Sequence, residues 1–225
     1  MKGRAISLVA SAAIAAGCMS LVMQSEWSGA APPAQSPYPS GVFVSLGERD
    51  AWLAVRNDSA RVSIAFTTTD PGLQDRILNQ GIFVWFDPGG GESRAFGIRY
   101  PVAWSGSPTG LDAVPGQPGS VEGPGAGRPG DDLEVYSDAF RQHDRYAKAD
   151  VPGLEVQVRR RADTLIYLLT VPLRGHGHDS YALDAAPGEV AGIGIETRDT
   201  RTTGESAGSI LPFIVWRNVR LAARP

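Results

Sequence analysis

Alternation of apolar and polar residues with a period of two dominates the chain from Gly41 onward. In the run 61–67, Val62, Ile64 and Phe66 alternate with polar or small residues, as in a strand that buries one face. Two other runs, 82–86 and 164–171, are almost continuously apolar, which is typical of strands covered on both sides. This pattern predicts about ten short strands, at 41–45, 52–57, 61–67, 82–86, 94–101, 133–136, 154–159, 164–171, 190–197 and 213–221.

Turn signals separate these runs and allow one short helix. Asp70 can cap that helix, Pro71 suits its first position and Gly81 can end it. The Gly-rich stretch 87–92 predicts a hairpin turn, because no Lys or helix follows it as in a phosphate-binding loop. Many short strands with one helix predict an all-β fold, a two-sheet antiparallel β-sandwich.

Composition narrows the class of protein. The chain has 225 residues, 42% hydrophobic and 20% charged, as expected of a globular domain. Its 21 basic and 24 acidic residues include no long basic tract, so a nucleic-acid partner is not expected. Residues 104–130 contain 8 Gly and 5 Pro, which predicts a flexible insertion in the domain.

The N-terminus has the pattern of an exported protein. Lys2 and Arg4 precede the apolar run 5–16, which predicts a signal peptide over residues 1–17. The Ala-Ala-Gly-Cys sequence at 15–18 resembles the lipobox of bacterial lipoproteins, and this resemblance implies lipidation of Cys18. Cys18 is the single cysteine, so it has no internal disulfide partner. The alternative is a signal peptide cleaved elsewhere, with an incidental cysteine.

Lipidation would define the domain organisation. Residues 18–40 would form the lipidated N-terminus and a disordered, Pro-rich tether, and residues 41–225 the β-sandwich domain. Met19 stands where such lipoproteins carry Asp as an inner-membrane retention signal. The resemblance therefore implies the outer membrane, with the domain facing the periplasm or the cell surface.

Four segments carry a second resemblance: 81–91, 96–101, 181–188 and 192–197. They resemble segments of uncharacterised bacterial envelope lipoproteins whose β-sandwich is similar to family 9 carbohydrate-binding modules and DOMON domains. The resemblance implies the fold and the envelope location. It assigns no binding residue, because none of these positions matches a sugar ligand of that family.

Candidate chemistry is sparse. His176 and His178, next to Asp179, could bind Zn²⁺ or Cu²⁺, and with Ser180 they could resemble a hydrolase arrangement. They lie in a Gly-rich loop and the third histidine, His143, is distant in sequence, so we expect loop residues and no metal. The three methionines fall in the predicted leader or tether, so no haem or other cofactor is expected.

Aromatic residues are the remaining candidates for ligand binding. Trp85 and Trp216 lie in predicted strands, and we expect both in the core. The candidate ligand-binding residues are Trp52, Arg99, Tyr100 and Trp104, which could stack on a sugar or anchor a protein, or else cap the core edge.

These expectations together describe a lipid-anchored, non-enzymatic envelope protein that binds a glycan or an envelope protein partner. Two alternatives remain open. One is a metal-dependent enzyme that uses His176 and His178, and the other is a purely structural envelope lipoprotein.

Overall fold

The computed structural model describes residues 22–28, 41–47, 49–102, 132–137, 142–175, 181–197 and 212–225. Within these residues, thirteen strands and one α-helix form a β-sandwich. The elements are β1 (Met23–Gln24), β2 (Glu26–Trp27), β3 (Val44–Ser45), β4 (Ala51–Asn57), β5 (Arg61–Thr68), α1 (Pro71–Gln80), β6 (Ile82–Asp87), β7 (Phe96–Tyr100), β8 (Asp132–Ser137), β9 (Gln142–Ala147), β10 (Glu155–Arg161), β11 (Thr164–Pro172), β12 (Val190–Thr197) and β13 (Ile214–Arg220).

Two sheets make up the sandwich. The seven-stranded sheet has the order β1-β13-β12-β6-β7-β8-β9, and the six-stranded sheet has the order β10-β11-β5-β4-β2, with β3 also paired to β4. The predicted fold class is therefore confirmed. The sheets are mixed rather than purely antiparallel, because the short strands β1 and β2 run parallel to β13 and β4.

Both parallel strands lie in the segment that the sequence predicted as a disordered tether. Met23 is buried in the core, and the chain crosses from one sheet to the other at Ser25. The Ser25 hydroxyl donates to the side chain of Asn57 and accepts the Ala222 N–H. Residues 22–28 thus belong to the folded domain, which begins before Gly41. The apolar-polar alternation there is too short to stand out beside the Pro-rich stretch that follows.

The predicted helix is present and ends where the sequence indicates. The Asp70 carboxylate accepts the Leu73 N–H at 2.6 Å, and Pro71 is the first helical residue. Gly81 has φ +77° and donates its N–H to the Ile77 carbonyl at 2.8 Å. Leu73 and Ile77 are buried in the core, which fixes the helix before the start of β6.

The core between the sheets takes alternate residues from each strand. Ile82, Val84 and Phe86 of β6 face it, as do Leu165 and Leu169 of β11. The remaining apolar side chains of β6 are also buried, but on the outer face of the seven-stranded sheet. β6 is therefore covered on both sides, as its composition predicts.

Strand β9 was not predicted, because its sequence is polar at nearly every position and it forms the edge of its sheet. The predicted insertion at 104–130 lies outside the described residues. In the part of the chain that the structure describes, no helix combines the length and apolar character that a membrane crossing requires.

Candidate functional site

A line of rings crosses the outer face of the seven-stranded sheet. Successive strand pairings place Gly194 beside Trp216 and Trp85, and Gly97 beside Trp85 and Tyr136. Tyr136 in turn pairs with His143 on the edge strand β9. We call Trp216, Trp85, Tyr136 and His143 the aromatic row. It spans six strands, or about 24 Å at the usual spacing between strands.

Glycines on two of the strands allow the rings to lie flat against the sheet. A Cβ at Gly97 would lie 2.2 Å from Cε3 of Trp85, and one at Gly194 would lie 2.6 Å from Cε2 of Trp216. Glycine weakens the interior of a strand and often marks a close approach by another group. The two glycines are therefore explained by the indole rings that cover them.

The rings contact one another along the row. Phe83 lies parallel to Trp85 with ring centroids 5.4 Å apart, and Tyr136 meets both rings edge-on at 5.2 and 5.6 Å. Tyr136 also stacks on His143 at 5.1 Å. Trp85 is 9% exposed, whereas Trp216 and Tyr136 are half-buried and His143 is exposed. Ring surface is thus open to solvent toward both ends of the row.

Pairs of opposite charge lie along the row. The pairs are Arg94–Glu196 at 2.8 Å, Arg99–Glu134 at 2.9 Å and Arg145–Asp132 at 2.8 Å. Glu196 also accepts the indole N–H of Trp85 at 2.9 Å, and the Arg94 guanidinium lies 5.7 Å from the Trp85 ring centroid. These contacts fix the plane of the central indole.

Glu134 is held as a carboxylate. Burial disfavours its charged form, but the hydrogen bond from Tyr136 and the positive charge of Arg99 outweigh this effect, so the pKa of Glu134 lies below its ordinary value. The Tyr136 hydroxyl donates to it at 2.7 Å. The phenol in the row is therefore oriented by a charged acceptor.

A groove of about 540 Å³ opens at the Trp216 end of the row, where the edges of the two sheets meet. It is lined by Met23, Gln24, Ser25, Glu26, Val42, Val44, Ser45, Trp216, Arg217 and Asn218. Arg217 bridges the two sheets here by donating to the carbonyls of Trp216 and Leu46. The row thus ends beside a concave, partly polar surface.

Of the four predicted ligand-binding residues, the three that the structure describes do not come together. Trp52 pairs with Thr67 and lies on the outer face of the six-stranded sheet. Arg99 lies on the same face as the row, but it is buried and donates to the Gln80 carbonyl as well as to Glu134. Tyr100 is buried in the core between the sheets, and its hydroxyl accepts from Lys148 at 3.2 Å. Trp104, Cys18, His176 and His178 lie outside the described residues.

The expectation that Trp85 and Trp216 lie in the core is met in part. Trp85 is buried as expected, although on the outer face of its sheet, whereas Trp216 is only half-buried on that face, so its assignment to the core is corrected. Sequence reasoning also missed Phe83, Tyr136 and His143. The signal that could have revealed the row is the placement of glycine at outward positions of strands whose neighbours carry aromatic residues.

Among the described residues, no group of three or more His, Cys, Asp or Glu side chains could hold a metal ion. His143 instead packs its ring on Tyr136. The arrangement on this face offers flat apolar surfaces and oriented polar groups, which are the elements of a binding site.

Comparison with known proteins gives a limited result. No protein-family model and no curated protein matches the chain. Among solved structures, the chain is similar to a family 9 carbohydrate-binding module from Caldicellulosiruptor kristjanssonii in complex with glucose, with a TM-score of 0.43 and 8% identity over 91% of this chain and 97% of that chain. The fold class rests on the strand pairing described above.

Proposed function

We propose that this protein is a lipid-anchored, non-enzymatic binding protein of the bacterial cell envelope, and that its aromatic row binds a neutral glycan. The observation that carries the proposal is the flat seating of the half-buried Trp216 ring on Gly194, in line with the half-buried ring of Tyr136 and the exposed ring of His143. A ring held in this way offers its face to a ligand with little loss of side-chain entropy on binding.

The shape of the row favours an extended chain of sugars. The C–H face of a sugar ring is apolar and flat, so it packs against an aromatic face, while its hydroxyls need polar partners at the rim. Carboxylates and guanidiniums lie beside the row. The row is about 24 Å long, which suits several linked sugars better than a single small molecule.

The charge balance favours a neutral glycan. Each of the three arginines along the row already pairs with a carboxylate. An acidic polysaccharide would bring its charges next to Glu196, Glu134 and Asp132, and repulsion from these carboxylates would oppose binding.

Binding is tested with the full chain in detergent against neutral polysaccharides (glucan, mannan, xylan) and acidic ones (alginate, pectate). Trp216→Ala and Tyr136→Ala should each weaken binding of a neutral polysaccharide by about tenfold, as for central residues of a binding surface. Trp52→Ala is the matched control on the opposite sheet and should bind as the wild type does. Equal losses in all three variants, with unchanged melting temperatures, would exclude the row as the site.

Membrane anchoring through Cys18 is tested separately. Cys18→Ser removes the thiol that would be acylated, so the protein should move from carbonate-washed membranes to the soluble fraction or accumulate unprocessed. If wild type and variant are processed alike and remain equally in the membrane fraction, the anchor is not at Cys18. In a cell with two membranes we expect the wild type in the outer one.

A further inference from the structure

The first strand of the domain begins very close to the proposed anchor. Met23 of β1 follows Cys18 by only five residues. Even a fully extended chain of that length spans at most about 18 Å. If Cys18 is acylated, as proposed above, this edge of the sandwich is held near the bilayer instead of hanging on a long tether.

The same edge exposes apolar side chains. Val42 lines the groove and is 66% exposed, and Val22, which directly precedes Met23, is 37% exposed. The Val42 N–H donates to the Glu26 carboxylate at 3.0 Å, which fixes the loop that presents Val42. Exposed valines at a defined position can insert into the interfacial region of a bilayer.

Positive charge lies on the strand next to β1 and just after it. Arg220 pairs with Gln24 across the β1–β13 ladder and is exposed. Arg224 is also exposed and follows Ala222, which is hydrogen-bonded to Ser25. The neighbouring carboxylate of Glu26 faces Arg56 at 3.9 Å. Exposed arginines at this edge would favour anionic lipid headgroups.

We propose that the surface formed by Val22, Val42, Arg220 and Arg224, here called the anchor edge, rests on the lipid bilayer and orients the domain. This inference depends on the proposed lipidation at Cys18. Because β1 and β13 form this edge of the seven-stranded sheet, the aromatic row begins near the bilayer at Trp216. It then extends away from the membrane across the sheet to His143 on β9.

Orientation is measured with the acylated full chain in vesicles of phosphatidylcholine and phosphatidylglycerol. An environment-sensitive fluorophore is attached to the cysteine of Val42→Cys. The control carries the same fluorophore on Gln157→Cys, because Gln157 is exposed on β10, the edge strand at the other end of the six-stranded sheet. Nitroxide lipids should quench the label at position 42 about twofold more than the label at 157, with a blue shift only at 42. Equal quenching at the two positions, with both proteins still bound to vesicles, overturns the proposal.

Two further measurements distinguish the proposed orientation of the domain from the lipidation of Cys18 on which it depends. The mass of the N-terminal peptide reports acylation directly, so a protein without the lipid refutes the anchor and removes the basis of the orientation. Replacing both arginines (Arg220→Glu, Arg224→Glu) should reduce quenching at position 42 while the acylated protein stays bound. Unchanged quenching in that variant would contradict a role for this charged edge.

Discussion

The two sheets have similar inner faces and very different outer faces. Toward the core, both contribute alternating Ile, Leu, Val and Phe side chains. On the outside, the seven-stranded sheet carries the aromatic row with its three charge pairs. On the outer faces of β4, β5, β10 and β11, as far as the structure describes them, the six-stranded sheet carries Trp52 as its one aromatic residue, together with Arg61–Glu155 and a hydroxyl pair at Ser63 and Thr170. Packing of the core between the sheets does not by itself require outer faces that differ in this way.

Strand glycines are also distributed unequally between the two sheets. In the described residues, the strands of the seven-stranded sheet contain Gly97, Gly192 and Gly194, whereas those of the six-stranded sheet contain none. A Cβ at any of the three would meet an indole ring or the Gly91 carbonyl within 2.6 Å. The seven-stranded sheet therefore has glycines, which weaken strands, at positions where other groups lie close over its outer face. This arrangement is consistent with a binding surface on that face.

The largest expected effect compares one carboxylate from each outer face. Glu134→Ala leaves the buried guanidinium of Arg99 without its charged partner and should lower the free energy of unfolding by about 2–3 kcal/mol. Glu155→Ala breaks a pair whose side chains are 47% and 68% exposed, so its cost should stay below about 1 kcal/mol. Urea denaturation of both variants measures the difference. Similar costs would show that the two faces are equivalent.

A smaller effect is expected at a strand glycine. Gly97→Ala forces the Trp85 ring off the sheet and should cost about 2 kcal/mol, although alanine is otherwise the better strand residue. In a Trp85→Ala background the same substitution should cost much less, because the clashing ring is gone. A double-mutant cycle by chemical denaturation gives the coupling between the two positions. Strict additivity would argue against the described contact.

The smallest effect concerns pH. The pKa of Glu134 is lower in the folded protein than the ordinary value of 4.5, so its stabilising effect is fully present above that value. The effect is lost as the pH falls through the lowered pKa of the folded state. The stability difference between wild type and Glu134→Gln should therefore shrink on acidification from pH 7 toward pH 3. A difference that is constant over this range would contradict the assignment.

Much of the fold could be predicted because local signals suffice for it. A period-two run predicted β5, continuously apolar runs predicted β6 and β11, and Asp70, Pro71 and Gly81 predicted the helix with its ends. Strands of two residues, such as β1 and β2, carry no detectable period. They exist because Met23 reaches the core and Ser25 bonds to a distant part of the chain, which are tertiary effects.

The aromatic row was not predicted because it depends on register across strands. Trp216 and His143 are 73 positions apart in the sequence. They belong to one row only because four intervening strands pair in register between them. Trp85 in an apolar run has the same sequence signature whether it faces the core or the outside. The order of strands in the sheet decides between the two.

The central claim, that the outer face of the seven-stranded sheet binds glycan, is tested most directly by the indole N–H signals of the tryptophans during an NMR titration. Trp→Phe variants assign the signals, and the ligand is an oligosaccharide of the neutral polysaccharide that binds best. The Trp216 signal should shift in a saturable way, with a smaller shift at Trp85, while the Trp52 signal stays in place. Saturable shifts at Trp52 with none at Trp216 would contradict the claim.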